Sequence, residues 1–385
     1  MPPAAAGGVT AKPRQSADNP LPTGQRAAHT APVNHDVTAS ALPCPHPPPR
    51  TPAAPPAPTR AFVWAPLDAG RMRAWADLRQ AVEEADRTGE HFSEADLLAL
   101  VSGPGVDAER GTIGVYDGGL VVADGVLMSQ SSANREHQMR FYADVHPAYR
   151  GLGIGSSLLA WAEQAAPALH AERFGGRPLA LRIRCVSTNA AALELFAARG
   201  YQPARWFHAM ICDLRAHGRG EQPADVPIPA GIRVLPFHVE RAAVGDSLRV
   251  RNEAFRDHWA AADTSAEMWA HGIAEPSFRP GYSFLAYERD EPLAVIMCHE
   301  YAAHTEATGK RDLYVDTVAT RRAGRKRGIA SSLIRLALAT ARAEGLDTAS
   351  LGVDAGSLTG AVGLYERLGF TVRQTLVVHT KTLLT

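Results

Sequence analysis

The residues best suited to chemistry come as a repeat. Arg150-Gly151-Leu152-Gly153-Ile154-Gly155-Ser156-Ser157-Leu158 returns as Arg325-Lys326-Arg327-Gly328-Ile329-Ala330-Ser331-Ser332-Leu333. Each segment follows a run with strand character and precedes one with helical spacing. A glycine turn joining a strand to a helix gathers unpaired backbone N–H groups at the positive end of a helix dipole, where a phosphate is stabilised. Glycine lets the anion approach the backbone closely, and each N–H bond to a charged oxygen contributes roughly 1.5–3 kcal/mol. Arg150 and Arg325 open the turns, and Ser156 and Ser331 stand at the helix starts, where they can add donors. Neither turn reads G-x-G-x-x-G, and neither ends in the G-K-[ST] of a P-loop.

The elements that must hold these turns are legible on both sides. Gln138 to Val145 and Leu313 to Thr320 are aromatic, β-branched and alternating, which predicts strands leading into the glycines. Leu158, Leu159, Ala162 and Ala165, and in the second copy Leu333, Ile334, Ala337 and Ala341, recur at helical spacing. Gly345 supplies a stop. Short apolar strands follow at 179–185 and 349–353, then second helices at 190–198 and 360–368. These end at Gly200 and Gly369, where glycine can turn left-handed. Tyr201 and Phe370 then open a final strand pair. The implied fold is α/β (mixed α+β): two tandem domains, each a mixed, mostly antiparallel sheet flanked by helices.

Composition bounds the rest. Residues 1–59 are rich in proline and alanine without apolar periodicity, so we expect a disordered arm that cannot offset its ordering entropy. A Gly/Pro cluster at 216–231 reads as a linker between a first domain at 60–215 and a second at 232–385. The 40 basic and 40 acidic side chains cancel, which removes the broad positive field of a nucleic-acid-coating protein. No apolar run approaches the roughly 18 residues of a membrane span. Cys44, Cys185, Cys212 and Cys298 are scattered without metal-ligand spacing, which predicts a reducing cytoplasm, no metal and inert thiols.

The turns, of form [RQ]-x-x-G-x-[GA] after a strand, resemble the pyrophosphate-binding motif of the GNAT superfamily of N-acetyltransferases. The later runs Ala192 to Tyr201 and Ala361 to Phe370 are similar to that family's second signature, A-x-x-L-[YF]-x-x-x-G-[FY]. The resemblance implies acetyl-CoA as acyl donor, held by Val145, Arg150, Gly151, Gly153, Gly155 and Ser156 in the first copy. In the second copy it implies Val318, Thr320, Arg325, Lys326, Arg327, Gly328, Ile329, Ala330 and Ser331. It further implies that strand backbone around Val318 and Thr320 meets the thioester, and that Tyr365 protonates the departing thiolate. Departures are Arg322 where the family has proline, held by Pro147 in the first copy, and Ser357 near its asparagine, held by Asn189.

The copies are not equivalent. Phe196 stands where Tyr365 does, and counting from the turns sets Phe141 against Asp316, a second proton-transfer candidate that shares strand parity with Val318 and Thr320. We therefore expect the second copy to be catalytic. Glu300 is a weaker candidate base. The acceptor is expected to be an amine of a small molecule or peptide, set by helices such as the one around 251–262. A non-catalytic acyl-CoA-binding sensor or scaffold is the competing reading.

Overall fold

The computed structural model describes residues 61–385 except 134, 217–220, 238–240, 257, 260–261 and 358–359. The arm expected over 1–59 lies outside these residues.

The first copy runs β1 (Val63–Ala65), α1 (Met72–Asp86), α2 (Glu94–Ser102), β2 (Thr112–Asp117), β3 (Leu120–Ser129), β4 (His137–Val145), α3 (Ile154–Phe174), β5 (Leu179–Val186), α4 (Ala190–Ala198) and β6 (Gln202–Asp213). The second copy runs β7 (Ile232–Pro236), α5 (Arg241–Ala254), α6 (Ala266–Ala274), β8 (Phe284–Glu288), β9 (Glu291–His299), α7 (Ala302–Thr308), β10 (Asp312–Thr320), α8 (Ile329–Ala343), β11 (Thr348–Asp354), α9 (Ala361–Arg367) and β12 (Thr371–Leu384).

Local chemistry explains the main elements. Ser93 and Asp96 form a reciprocal capping box that starts α2. The apolar stripe of α8, from Ile329 through Leu333, Ile334, Ala337 and Ala341, is buried against the sheet. Each such leucine or isoleucine contributes about 1.5–3 kcal/mol. Leu158, Leu159 and Ala162 of α3 do the same in the first copy. Strands β3 and β9 are buried along nearly their whole length, as central strands covered on both faces must be.

The final strands differ from expectation. The two copies share one sheet of twelve strands in the order β1-β2-β3-β4-β5-β12-β6-β11-β10-β9-β8-β7. β6, at the end of the first copy, lies between β11 and β12, whereas β12 lies between β5 and β6. The copies have thus exchanged their last strands. Met210 and Cys212 of β6 enter the core beneath α8. On β12, His379 packs on Phe196 at 5.3 Å and Lys381 reaches Glu163 at 3.0 Å, both in the first copy. Apolar strands carry no local mark of their pairing partner, so this exchange left no trace in the periodicity.

A second difference lies in β10. Its register with β9 passes from Val315↔Cys298 to Thr317↔Met297, so Asp316 is the extra residue of a β-bulge. Before the bulge Leu313 and Val315 face the core beneath α8; after it Val318 does, while Ala319 packs with Val250 and Phe278 on the opposite side. The expectation that Asp316 shares parity with Val318 and Thr320 is therefore corrected. Counting to Phe141 also fails, because Phe141 is buried with Leu158 and Ile183 beneath α3.

Candidate active site

Both glycine turns are built alike. Gly153 and Gly328 cap α3 and α8 in the left-handed conformation, with φ of 80° and 81°. One further left-handed residue precedes each cap: Gly151 at φ 79° in the first copy and Lys326 at φ 61° in the second. A Cβ on Gly151 or Gly153 would meet nothing within 4 Å, and one on Gly328 would come no nearer than 3.8 Å to Pro229. The cradles thus leave room for an anion against the helix N-termini. Arg150 and Arg325 have a common structural task. Their Nε atoms donate to the carbonyls of Val145 and Thr320, at 3.1 and 3.3 Å, and fold each turn onto the end of its strand. The rest of the Arg150 guanidinium is clamped by Asp86 at 2.7 and 2.8 Å. Arg327 pairs with Glu288 at 2.6 Å. Replacing Pro147 with Arg322 leaves the single 3-10 turn before the glycines in place, at Pro147–Tyr149 and Arg322–Gly324.

Each turn closes a gap in the sheet. β4 and β5 run parallel and pair from His137↔Leu179 to Phe141↔Ile183, then part. β10 and β11 pair from Asp312↔Thr348 to Val315↔Leu351 and part likewise. Beyond those points Tyr142–Val145 and Val318–Thr320 have no ladder partner on that side, so their backbone groups are open to an extended ligand. In the first copy the gap is a cavity of about 530 Å³, lined by Val145, Gly153, Gly155, Ser156 and Phe196 among others. Leu376 of the exchanged β12 also lines it. Beneath it the Arg79 guanidinium joins α1 to β3 and β4 through Asp124, at 2.5 Å, and Asp144. Burial pushes the Asp124 carboxyl up to about 7.

In the second copy, Tyr365 projects from α9 into the core beneath α8 and is 9% exposed. Burial pushes its phenol up to about 12. Its ring packs edge-on against Phe370 at 5.8 Å. Phe196 occupies the matching place on α4. Asp316 is exposed, accepts from the Thr317 hydroxyl at 2.8 Å, and exerts its charge on Arg251, Glu275 and Tyr301, on the α5 and α6 side of the sheet. Glu300 is a poor base: burial would raise it, but Arg311 at 2.7 Å and Arg279 at 3.3 Å outweigh this and hold it below the usual carboxylate range. Burial raises the Cys185 and Cys212 thiols to about 11 and Cys298 further, so all three stay protonated near neutrality. Cys44 lies outside the described residues. Asn189 caps α4 through the Ala192 N–H at 3.1 Å, whereas α9 starts from left-handed Gly360 without a side-chain cap.

Family models match both copies. The model of the acetyltransferase (GNAT) family matches residues 249–370, and that of the acetyltransferase (GNAT) domain matches 109–203. The chain belongs to the GNAT acetyltransferase family. It is 30% identical over 311 residues to a mycothiol acetyltransferase of Thermobispora bispora, covering 78% of this chain and 93% of that one. A protein of the same name from Geodermatophilus obscurus is 28% identical, covering 79% and 92%. Among solved structures, a GCN5-related N-acetyltransferase from Sphaerobacter thermophilus superposes with a TM-score of 0.63 at 25% identity, covering 84% of this chain and 96% of that one. A tandem GNAT protein from the clavulanic acid biosynthesis pathway gives 0.62 at 16% identity, covering 84% and 99%, a likeness of fold. This GNAT protein is an N-acetyltransferase, with acetyl-CoA as its acyl donor. The open cradles and unpaired strand backbone fit that donor. No helix among the described residues is long and apolar enough to cross a membrane.

Proposed function

We propose that the second copy transfers an acetyl group from acetyl-CoA to the amine of a small molecule, both bound at once. The observation that carries this reading is Tyr365, which projects from α9 into the core at the place where the first copy has Phe196. Acetyl-CoA, when bound, supplies an activated thioester carbonyl. Backbone N–H groups from Gly328 to Ser331 hold its pyrophosphate, aided by the charge of Lys326. Strand backbone at Val318–Thr320 polarises the carbonyl oxygen. Asp316, at the bulge, takes up the proton of the incoming amine, and Tyr365, protonated at neutral pH, gives its proton to the leaving sulfur. The names of the relatives make amines of the mycothiol class the first to try.

A second reading applies to the first copy. Its cavity of about 530 Å³ is lined by Phe196, which has no proton to give, so this copy binds acyl-CoA without turning it over. The test is release of free thiol from acetyl-CoA with a mixed panel of amines, with mass detection of the acetylated product. Thiol release coupled to one amine is expected. Binding of acetyl-CoA with no product from any amine would leave only the binding-module reading.

A further inference from the structure

Five arginines crowd the face of the sheet where the two copies meet, and they are not treated alike. Arg205 donates twice to Asp354, at 3.0 and 2.9 Å, and Arg184 pairs with Glu90. Arg140, Arg182 and Arg251 have no carboxylate within 4.0 Å among the described residues. Arg140 and Arg182 are direct neighbours across β4 and β5. Arg182 gives one N–H to Gln138 at 2.5 Å, and its Nε is buried without a partner. The Trp259 ring covers its guanidinium at 4.0 Å. Arg251 bonds only neutral oxygens, the Asn252 side chain at 2.9 Å and the Ala262 carbonyl at 2.8 Å. Arg140, Arg251, Phe255, His258 and Trp259 line a cavity of about 100 Å³.

Arg140 is exposed, whereas Arg182 and Arg251 are partly buried, and a partly buried guanidinium without a carboxylate in contact is stabilised by an acidic group brought to it. Burial and the charge of Arg140 lower Arg182 to about 10. Burial also lowers Arg251, with Asp263 and Asp316 opposing and Arg140 adding to the fall. Asp263 also lines the cavity, and Glu136 acts on Arg182 from farther off. Counting these three carboxylates, the cluster has no net positive charge, but none of them lies in contact with a guanidinium, whose forks are left open. A planar fork with free N–H groups suits two oxygens of one acid.

We infer that this junction is a subsite for an acidic group, a carboxylate or a phosphate ester, carried by the amine acceptor. The inference rests on the acetyltransferase reading of the second copy, because Arg251 lies on α5, whose Val250 packs against Ala319 of β10, the strand that carries Asp316. Lining from both copies also gives the tandem arrangement a role in specificity: Arg140 of the first copy, with Arg182 behind it across the strand pair and under the Trp259 ring, selects the substrate of the second.

Two measurements on the full chain test it. In the first, inorganic phosphate is titrated by calorimetry at constant ionic strength. Saturable binding is expected, weakened at least about ten-fold in Arg182→Gln and in Arg140→Gln, less in Arg182→Lys, with unchanged melting profiles. In the second, matched amines differing by one acid are compared as acceptors: butylamine with δ-aminovalerate, and ethanolamine with phosphoethanolamine. The acidic member of one pair should have the higher kcat/KM through a lower KM, and Arg182→Gln should shrink that ratio at least about ten-fold. The pair that shows the preference tells carboxylate from phosphate. Acetylation of both members at equal efficiency, or phosphate binding indifferent to both arginine variants, overturns the subsite and leaves the acetyltransferase reading standing. Arginine-dependent phosphate binding without acetylation of any amine keeps the subsite and overturns that reading instead.

Discussion

At the scale of single residues, the asymmetry between Tyr365 and Phe196 was legible, because a repeated signature makes each position comparable with its twin. If Tyr365 protonates the leaving sulfur, Tyr365→Phe should lower kcat by about 10²–10⁴-fold with little change in acetyl-CoA affinity. Phe196→Leu should leave turnover within a few-fold, since only packing changes. Intact turnover in Tyr365→Phe, measured by thiol release, would exclude the role. The position of Asp316 was not legible, because a bulge of one residue shifts parity without any residue type to announce it. The arginines of the junction did leave a signal that was passed over: Arg182 and Arg184 alternate with apolar residues inside a strand, where charge is rarely left unless it meets something. A different residue sets an acid limit. His137 is fully buried between the Ser129 hydroxyl at 2.8 Å and His170 at 2.9 Å. Burial first, then His170 and Arg173, lower its imidazole to about 4. Because the unfolded chain takes up this proton at higher pH than the folded one, stability should fall as pH drops from about 6.5 toward 4. The melting temperature should fall across that window as pH drops, and His137→Gln should flatten the trend.

At the scale of elements, the turns were readable because glycine spacing between a strand and a helix has few physical uses. Their equivalence gives a paired experiment. Gly328→Glu places a side chain and a negative charge in the second cradle, where φ of 81° already disfavours any side chain. Gly153→Glu does the same in the first. Calorimetry should report up to two acetyl-CoA per chain, one lost in each variant, with turnover lost only in Gly328→Glu. Loss of turnover in Gly153→Glu alone would move the chemistry to the first copy. Helix and strand extents followed the periodicity closely. The observed α4 spans Ala190–Ala198, and β4 and β10 begin one residue earlier than their aromatic and β-branched runs suggested. Lys326 escaped such reasoning, since a left-handed lysine looks like any other in a string of letters.

At the scale of the molecule, the sequence shows two copies and conceals how they are joined. Position along the chain suggested that each copy keeps its own last strand, yet β6 and β12 are interleaved, each between two strands of the other copy. Two fragments cut within 217–220 should therefore co-purify as a tight complex when produced together, and each alone should fail to give a soluble folded monomer. Size exclusion and circular dichroism decide this, and two independently folded monomers would count against it. The interleaving also bears on the order of events at the ribosome. β5 acquires its second neighbour only when β12, the last strand of the chain, has been made. The first copy, although translated early, must wait with an unfinished sheet edge while the second is synthesised. An open edge of this kind invites pairing with other nascent chains. Slow translation of the second copy should therefore lower the yield of the first as much as its own.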